Sequence, residues 1–401
     1  MTTPFRERAP DLGGRAPAEL DAAVRAATAD VTFGGDGFHL DAVPRVIEAG
    51  EWERLAAGLI QRVRALDAWC ADVYGQRRIV CDGVVPARVI ETIDTHEPGM
   101  QGRTLDRWIS IAGLDVVRAP DGRFLVLEDN LRTPSGMAYA AVARETTREL
   151  LAPRPAPRPL DGLRAMLESV LGESAVLLTD GPDNEAYWEH RWLAELLGIP
   201  LVELESLDLD GVDTVYRRTN AWQLDSDVGR ALDGRVRVVN EFGVGVADDK
   251  LAHAYVEDMV RYYLGEEPSL GSVRTHDLGR PEVLEEALDR FAELVIKPRA
   301  GYGGEGVVIC PHALAADVEH TRAAVVESPE DYIAQELIPL SEHPTVIDGE
   351  LAPRHVDLRP FVFLGDEPAV LPGGLTRVAL DEGTLVVNSS QNGGAKDTWV
   401  L

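Results

Sequence analysis

The chain has 401 residues, 45% of them hydrophobic and 27% charged, which is an ordinary composition for a globular enzyme of two or three domains. Its net charge of −29 argues against nucleic acid and membrane partners, although it would attract a cationic substrate such as a polyamine. Cys70, Cys81 and Cys310 are far apart and form no metal-binding pattern, which predicts reduced thiols in a cytoplasmic protein. No apolar run reaches the roughly 18 residues of a membrane span, and residues 1–30 lack the apolar segment of a signal peptide.

The first half of the chain predicts helices around one hairpin. Residues 1–30 are polar, and we expect them to be poorly packed at the start. Over residues 43–75 the apolar positions recur at three- and four-residue spacing, which predicts a long helix. Residues 109–130 predict a β-hairpin, because two apolar runs flank the turn sequence APDG. A helix is predicted over residues 137–150, and the proline-rich sequence APRPAPRP at 152–159 predicts a boundary between domains.

Beyond that boundary the pattern changes. Strand and helix alternate up to residue 267, which predicts a small α/β domain with a parallel sheet. From residue 268 a helix, a strand, a glycine-rich loop and several further strands are predicted. The predicted regions are a polar tail at 1–30, an N-terminal part with the hairpin at 31–158, the α/β domain at 159–267, and a C-terminal part at 268–401.

The hairpin ends in a polar sequence. Glu128 and Asn130 are followed by a Pro-Ser-Gly turn, and strand ends at a sheet edge are where α/β enzymes place catalytic residues. Residues two apart face the same side of an extended chain. A carboxylate and an amide oxygen on one side suit Mg²⁺, and the alternative interpretation is a solvated turn without a ligand.

The glycine-rich loop GYGGEG, residues 301–306, matches the pattern G-x-G-x-x-G. A strand follows it, whereas a dinucleotide-binding loop is followed by a helix. Lys297 precedes the loop, and the HRD, DFG and GK[ST] motifs are missing from the sequence, which argues against a kinase or a Walker loop. A lysine before a flexible flap suits phosphate groups, and the alternative is a glycine-rich hairpin with no ligand. The histidines show no zinc-binding spacing.

Polar side chains also recur within apolar C-terminal stretches, more often than a plain β-core needs. They are Gln335 and Glu336 in YIAQELIPL, Asp357 and Arg359 in PRHVDLRPFVFLG, and Arg377, Asn388 and Lys396 in residues 373–401.

The order of lysine, glycine flap, AQELI, DLRPFV and then arginine- and asparagine-bearing strands resembles the ATP-grasp ligases. In that superfamily a carboxylate-bearing hairpin that binds Mg²⁺ follows these strands, whereas here the Glu-x-Asn hairpin lies near the front. The chain therefore resembles a circularly permuted ATP-grasp protein, a rearrangement that neighbouring termini make tolerable. The phrases VLEDNLRTPSG, AYWEHRWLAELLGIPLVE, GVADDK and VVNSSQNGGAKDTWVL are similar to the circularly permuted ATP-grasp type 2 family, related to glutathionylspermidine-synthase-like proteins, over residues 31–401.

The resemblance implies an α/β (α+β) protein with a circularly permuted ATP-grasp fold. The region at 159–267 would be an inserted, pre-ATP-grasp-like substrate domain, and 268–401 would be the nucleotide-binding part. It also implies ATP and Mg²⁺ as cofactors and the formation of a C–N bond. The substrates would be a small carboxylate and an amine, such as an amino acid, a peptide or a polyamine.

The resemblance further assigns roles to individual residues. The implied Mg²⁺ ligands are Asp115, Glu128 and Asn130. The implied nucleotide-binding residues are Lys297, Gly301, Gly303, Gly304, Gly306, Gln335, Glu336, Asn388 and Lys396. The implied catalytic residues are Arg132, Ser135, Arg359 and Arg377. Glu189, Arg217 and Arg218 are candidate substrate contacts, and the alternative for the two arginines is an ordinary surface position.

One departure leaves the substrate open. The sequence TNAW follows Arg218, where relatives commonly carry acidic residues, and the chain is shorter there. The resemblance implies an ADP-forming carboxylate–amine ligase that acts through an acyl phosphate. The alternatives are aminoacyl loading of a carrier-protein thiol, and an ATP-binding module without ligase activity that serves a partner.

Overall fold

The structure is a computed structural model that describes residues 3–301, 305–384 and 393–401. The α-helices are α1 Pro17–Ala27, α2 Ala49–Val73, α3 Arg78–Cys81, α4 Ala87–Glu91, α5 Met137–Leu151, α6 Leu163–Leu171, α7 Tyr187–Leu197, α8 Asp227–Leu232, α9 Val256–Met259, α10 Pro281–Asp289 and α11 Ala315–Glu327. The strands are β1 Thr32–Phe33, β2 Asp36–Gly37, β3 Leu40–Ile47, β4 Ile111–Arg118, β5 Phe124–Asn130, β6 Ala175–Thr179, β7 Leu201–Val202, β8 Thr214–Arg218, β9 Arg237–Val239, β10 Gly271–Ser272, β11 Thr275–Asp277, β12 Leu294–Pro298, β13 Val308–Ile309, β14 Tyr332–Glu336, β15 Glu342–Ile347, β16 Glu350–Arg359, β17 Phe361–Leu364, β18 Pro368–Val370, β19 Leu375–Ala379 and β20 Gly393–Val400. No helix of the described chain is both long and apolar enough to span a lipid bilayer.

The largest sheet combines strands from both ends of the chain. In the described residues it has ten strands, and its main path is β10-β5-β4-β16-β19-β20-β3. The hairpin β4–β5 lies against β16 and β17, and β20 pairs in parallel with β3. The predicted hairpin thus packs beside the C-terminal strands, as a circular permutation requires.

Two smaller sheets flank this one. Strands β7-β6-β8-β9 form an all-parallel sheet with α6 and α7 packed against it, which confirms the predicted α/β unit. Strands β11-β14-β12-β13 form an antiparallel sheet, in which the glycine-rich loop joins β12 to β13 as a hairpin.

Helix α2 contributes much of the main hydrophobic core. Its Leu59, Val63, Leu66 and Trp69 are fully buried at the spacing of one helical face. Burying one such side chain stabilises a fold by about 1.5–3 kcal/mol. The turn between β4 and β5 contains Gly122 at φ +87°, a conformation that glycine adopts without strain.

Two predictions about the N-terminal part were wrong. Residues 1–30 include α1, whose Leu20 and Val24 are buried against β3, and Glu7 forms buried ion pairs with two arginines. The predicted helix over 43–75 begins only at Ala49, because residues up to Ile47 belong to β3. Every residue of β3 is buried, so the strand shows no apolar–polar alternation that would distinguish it from a buried helix.

Candidate functional site

The hairpin β4–β5 presents three predicted residues on one face. Asp115 lies opposite Glu128 in the antiparallel register, and Asn130 lies opposite Gly113. Cross-strand partners share a face and residues two apart do the same, so all three side chains point to one side. Only a glycine fits at position 113, because an added Cβ would lie 2.9 Å from Pro134 Cβ in the loop that follows β5.

Asp115 is held by two arginines. Arg359 donates to Oδ1 and Oδ2 at 2.8 and 3.0 Å, and Arg377 Nη2 lies 2.7 Å from Oδ2. Arg377 also pairs with Asp357, its partner in the β16–β19 register. Burial alone would raise the pKa of Asp115, but the two guanidinium groups lower it to about 2, so this carboxylate is ionised at neutral pH.

A cavity of about 470 Å³, which we call the first cavity, lies at this face. Its described lining combines residues 92–132 and 248–250 with residues of the C-terminal part. Seven lining residues are acidic and four are basic. The acidic residues are Asp94, Asp115, Glu128, Asp129, Asp248, Asp249 and Asp331, and the basic ones are Arg132, Lys250, Arg299 and Arg359. Arg62 neutralises Asp129 from outside the lining, but the other six acids still outnumber the four bases, which would repel a polyphosphate unless cations accompany it.

Two lysines lie at or beside the first cavity: Lys250 lines it, and Lys297 lines a recess that shares Glu128 and Lys250 with it. Lys297 of β12 lines a small recess together with Glu128, Lys250 and Gln335. In the described chain, its ammonium group makes no hydrogen bond or ion pair. Burial lowers the pKa of Lys297, Glu128 opposes that change and Lys250 adds to it. Lys250 Nζ donates to the carbonyl oxygen of Gly301 at 2.7 Å, so it touches the start of the glycine-rich loop.

The glycine-rich loop borders the same space. Gly301 lines the first cavity, and Gly306 has φ +69° with no room for a side chain, since an added Cβ would lie 2.7 Å from Pro298 Cγ. Gly303 and Gly304 lie outside the described residues.

The two residues predicted to contact adenine and ribose differ in their surroundings. Gln335 lines the recess and donates to Thr275 Oγ1 at 3.0 Å. Glu336 accepts a hydrogen bond from Arg290 at 2.7 Å and lies 2.9 Å from His276 Nε2. Both residues stay predicted nucleotide contacts.

The donor set at Asp115, Glu128 and Asn130 fits a Mg²⁺ ion, which prefers hard oxygen ligands. The side-chain nitrogen of Asn130 is buried without a hydrogen-bond partner in the described structure. The two orientations of an amide are assigned from its hydrogen bonds, and the rotated amide would place its oxygen there, available to a cation. Among the described residues, no three His, Cys, Asp or Glu side chains gather as a metal site would. The predicted site therefore depends on two carboxylates and one amide.

A second cavity, of about 430 Å³, adjoins the first. Asn130, Arg132, Asp248 and Arg359 line both cavities, and we call these four residues the junction. The predicted residues Ser135 and Arg377 line the second cavity only.

Arg132 is held in place at the junction. Its Nε donates to Asp248 Oδ2 at 2.8 Å, and its guanidinium lies 4.4 Å from the centre of the Trp222 ring. Burial raises the pKa of Asp248, whereas the contact with Arg132 opposes that rise. Trp222 belongs to the sequence TNAW, so the segment on which the choice of substrate was left open borders the second cavity.

Two residues predicted as substrate contacts lie beneath the second cavity. Glu189 is fully buried and accepts a hydrogen bond from the backbone nitrogen of Gly136 at 2.9 Å. Arg218, also buried, donates to Glu189 and to Ser135 Oγ at 2.9 and 2.7 Å. This buried pair supports the loop after β5 from below, so we no longer assign either residue to the substrate.

Two further predicted residues, Arg217 and Lys396, are absent from the lining of the two large cavities. Arg217 is buried and donates to the carbonyl oxygen of Ala221 at 3.2 Å, which holds the segment before Trp222. Lys396 is fully buried and pairs with Asp41, so its predicted contact with the nucleotide is not supported. Asn388 lies outside the described residues.

The sequence interpretation missed a buried network behind the hairpin. Asp129 points away from the first cavity's acidic pair and accepts hydrogen bonds from Arg62 of α2 at 2.6 and 2.7 Å. His253 Nδ1 lies 2.8 Å from the same carboxylate. The alternation along β5 was a signal for this, since Asp129 must face the opposite side from Glu128 and Asn130.

A second missed group is the run Asp248, Asp249 and Lys250. Asp248 and Lys250 approach the first cavity, and Asp249 makes a two-point contact with Arg299 at 2.9 and 3.0 Å. These residues are part of the phrase GVADDK, which matched the family without receiving a role.

Comparison with known proteins agrees with this architecture. The profile of the circularly permuted ATP-grasp type 2 family matches residues 44–379. A Frankia casuarinae protein named "Putative glutamate--cysteine ligase 2-2" is 43% identical over 90% of this chain and 47% of its own length. A Frankia alni protein, "Putative glutamate--cysteine ligase 2-3", is 44% identical with the same coverage. The chain thus spans about half the length of these relatives. An uncharacterized Mycobacterium tuberculosis protein is 41% identical over 99% of this chain and 80% of its own.

The fold also matches a solved structure. A glutathione synthetase-like effector from Globodera pallida, in its apo form, superposes with a TM-score of 0.62 over 96% of this chain and 98% of its own. The sequences are 11% identical, so this likeness concerns the fold. Taken with the family match over most of its length, the chain belongs to the circularly permuted ATP-grasp type 2 family and has the mixed α/β fold that its sequence predicted.

Proposed function

We propose that this chain is an ATP-dependent carboxylate–amine ligase that forms an acyl phosphate and releases ADP and phosphate. The observation that carries the proposal is the meeting of the two cavities at the junction. The first cavity and the recess beside it offer two lysines and a carboxylate pair to a nucleoside triphosphate. The second offers arginines and enough space for an organic acid, and substrates on either side of one boundary would react without diffusing apart. The names of the Frankia relatives belong to the same class of reaction.

The chain's own groups would hold ATP by its phosphates. Lys250 would contact phosphate oxygens from the lining of the first cavity, and Lys297 would reach them from the recess beside it. Gly301 lines the first cavity at the start of the glycine-rich loop, where glycine backbone would donate N–H groups to phosphate at close range. When bound by Asp115, Glu128 and Asn130, Mg²⁺ would neutralise charge on the β- and γ-phosphates.

The first chemical step would activate the acid. A carboxylate is a poor electrophile, because its negative charge repels nucleophiles. One carboxylate oxygen attacks the γ-phosphorus, and the bond from that phosphorus to the bridging oxygen of ADP breaks. Arg132 would orient the carboxylate, and Arg359, fixed by Asp115, would stabilise charge on the transferring group. The planar fork of an arginine suits a pair of oxygen atoms better than a lysine does.

The second step would form the amide. A neutral amine attacks the acyl carbon, the bond to the phosphate oxygen breaks, and phosphate leaves. The amine must lose one proton in this step. Asp248 is our candidate to accept it, because it lies at the junction and burial raises its pKa.

The test combines product analysis with trapping. The purified chain, Mg²⁺-ATP and a panel of carboxylic acids should release ADP in an acid-dependent way, and hydroxylamine should convert the acyl phosphate into a hydroxamate. Lys297→Met should abolish both signals. Arg123→Met, on the exposed turn of the hairpin, is the matched control and should retain them.

Three outcomes would contradict the proposal. Release of AMP and pyrophosphate would exclude an acyl phosphate. Acid-dependent ADP release with transfer only to a carrier-protein thiol would show that the acceptor is a thiol and not an amine. Tight ATP binding without ADP release for any acid and amine pair would leave an ATP-binding module.

A further inference from the structure

We propose that the second cavity binds a monocarboxylic acid with an apolar body, with its carboxylate at the junction and its body against aromatic rings. This inference rests on the proposed function. Phe33, Phe38 and Tyr139 line the second cavity and not the first, and we call them the aromatic wall. None of them belongs to the junction, where the reacting carboxylate must be.

The aromatic wall is built before any ligand arrives. The Tyr139 ring lies 4.8 Å from Phe38 and 6.0 Å edge-on from Phe33, between ring centres, and it stacks on Trp188 at 5.2 Å. Tyr139 Oη donates to the carbonyl oxygen of Thr32 at 2.9 Å, which ties the β1–β2 hairpin to α5. A preformed wall costs a ligand little ordering entropy.

A second contact fixes the same hairpin on its other side. The backbone nitrogen of Gly34 donates to the carbonyl oxygen of Glu185 at 2.9 Å, in the segment before α7. The hairpin therefore bridges the second cavity from the N-terminal part to the α/β domain. Phe33 and Phe38 stay partly exposed there, and aromatic carbon exposed in a cavity is typical of a ligand site.

We call the part of the second cavity away from the junction its outer part. The charges there disfavour a second carboxylate on the ligand. Asp183 and Glu185 are exposed and line it. Arg377 is held by Asp115 and Asp357, and no other lysine, arginine or histidine among the described residues lines the cavity away from the junction. A dicarboxylate such as glutamate would place its far carboxylate beside aromatic carbon and two acids, which costs binding energy.

The binding test compares acids of similar length that differ at the far end. Norleucine and glutamate form one pair, and hexanoate and glutarate form the other. Calorimetry with Mg²⁺ and a non-hydrolysable ATP analogue measures affinity without turnover. We expect each apolar acid to bind about tenfold or more tightly than its dicarboxylate partner, the scale of burying a few methylene groups. Equal or reversed affinities would overturn the proposal.

Three variants test which residues of the second cavity cause the preference for the apolar acid. Phe38→Ala should reduce the preference for the apolar acid about tenfold, and Phe38→Leu, which keeps apolar contact, should reduce it less. Glu185→Lys, on the surface, should improve binding of glutarate relative to hexanoate. Leu314→Ala is the control, because this exposed side chain lies outside the described lining of the cavity. An unchanged preference in both Phe38→Ala and Glu185→Lys would refute the role of the outer part.

These measurements separate the two proposals. The predicted preference in binding, with no ADP released from any acid, would refute the ligase and keep the acid site. Acid-dependent ADP release with glutamate as the better ligand would keep the ligase and refute the apolar selection.

Discussion

Replacing Asp129 by asparagine should destabilise the fold although the two side chains have nearly the same shape. Asp129 neutralises Arg62 through two hydrogen bonds at 2.6 and 2.7 Å, with His253 at 2.8 Å on the same carboxylate. The side chains of Arg62 and Asp129 are 2% and 1% exposed, so water cannot replace the lost charge.

The expected loss follows from this burial. Removing one partner of a buried ion pair typically costs about 3–5 kcal/mol, because the other charge is left without compensation. Asparagine can still accept a hydrogen bond, so we expect the free energy of unfolding at pH 7 to fall by about 3 kcal/mol, the lower end of that range.

The pH dependence of the free energy of unfolding provides an independent test. Burial alone would raise the pKa of Asp129, but Arg62 and His253 hold it well below the usual range. A carboxyl with a depressed pKa in the folded state stabilises the fold above its unfolded pKa, about 3.9, and loses that contribution as the pH falls further. The difference in free energy of unfolding between wild type and Asp129→Asn should therefore become smaller below about pH 4.

Urea unfolding followed by far-ultraviolet circular dichroism measures both effects. The matched control is Asp121→Asn on the turn of the same hairpin, where the pair with Arg123 is exposed to solvent and contributes little. A loss below about 1 kcal/mol for Asp129→Asn, or one equal to that of the control, would refute the reasoning.

Six further substitutions, at five residues, test the site. Glu128→Gln and Asn130→Ala should keep the fold and slow ADP release about 10²-fold or more, and unchanged turnover at saturating Mg²⁺ would contradict the metal assignment. Arg359→Lys should keep ATP affinity but slow phosphoryl transfer about tenfold or more, so equal turnover would exclude a role for its planar fork. Trp222→Leu should raise the KM for the acid about fivefold and Trp222→Phe less, because only an aromatic ring can stack on the arginine at the junction; identical effects would exclude the stacking. Because the pKa of Lys297 is lowered, ATP affinity should be lost as the pH rises, at a pH below the ordinary lysine pKa of 10.5, and Lys297→Arg should move that loss to higher pH; a loss at the same pH in both would assign it to another group.

The parts of the fold that the sequence predicted are those with local signals. The hairpin β4–β5 was predictable because its turn sequence and its two apolar runs are adjacent in the chain. Strand β3 was not, because both of its faces are buried and its neighbour β20 is at the other end of the chain. Sequence spacing does not reveal which strand will cover such a segment.

The candidate site shows the same division. Glu128 and Asn130 were predicted from two-residue spacing, and the structure places Asp115 on the same face. Glu189 and Arg218 resembled substrate-binding side chains, but they compensate each other in the interior, and a charged residue in the sequence does not reveal a partner on another element. Lys250 was missed for the opposite reason, since its approach to the glycine-rich loop depends on how two domains pack.

The pairing of β20 with β3 has a consequence for how the protein is made. Their side chains meet across 355 residues of chain, as Asp41 and Lys396 illustrate. At a synthesis rate of about 5–20 residues per second, β3 must wait roughly 20–70 s for its neighbour after it leaves the ribosome. During that time a strand whose eight residues are all buried in the finished protein has an unpaired edge. We therefore expect nascent chains that stop before β20 to depend on chaperones and to aggregate when chaperones are withdrawn.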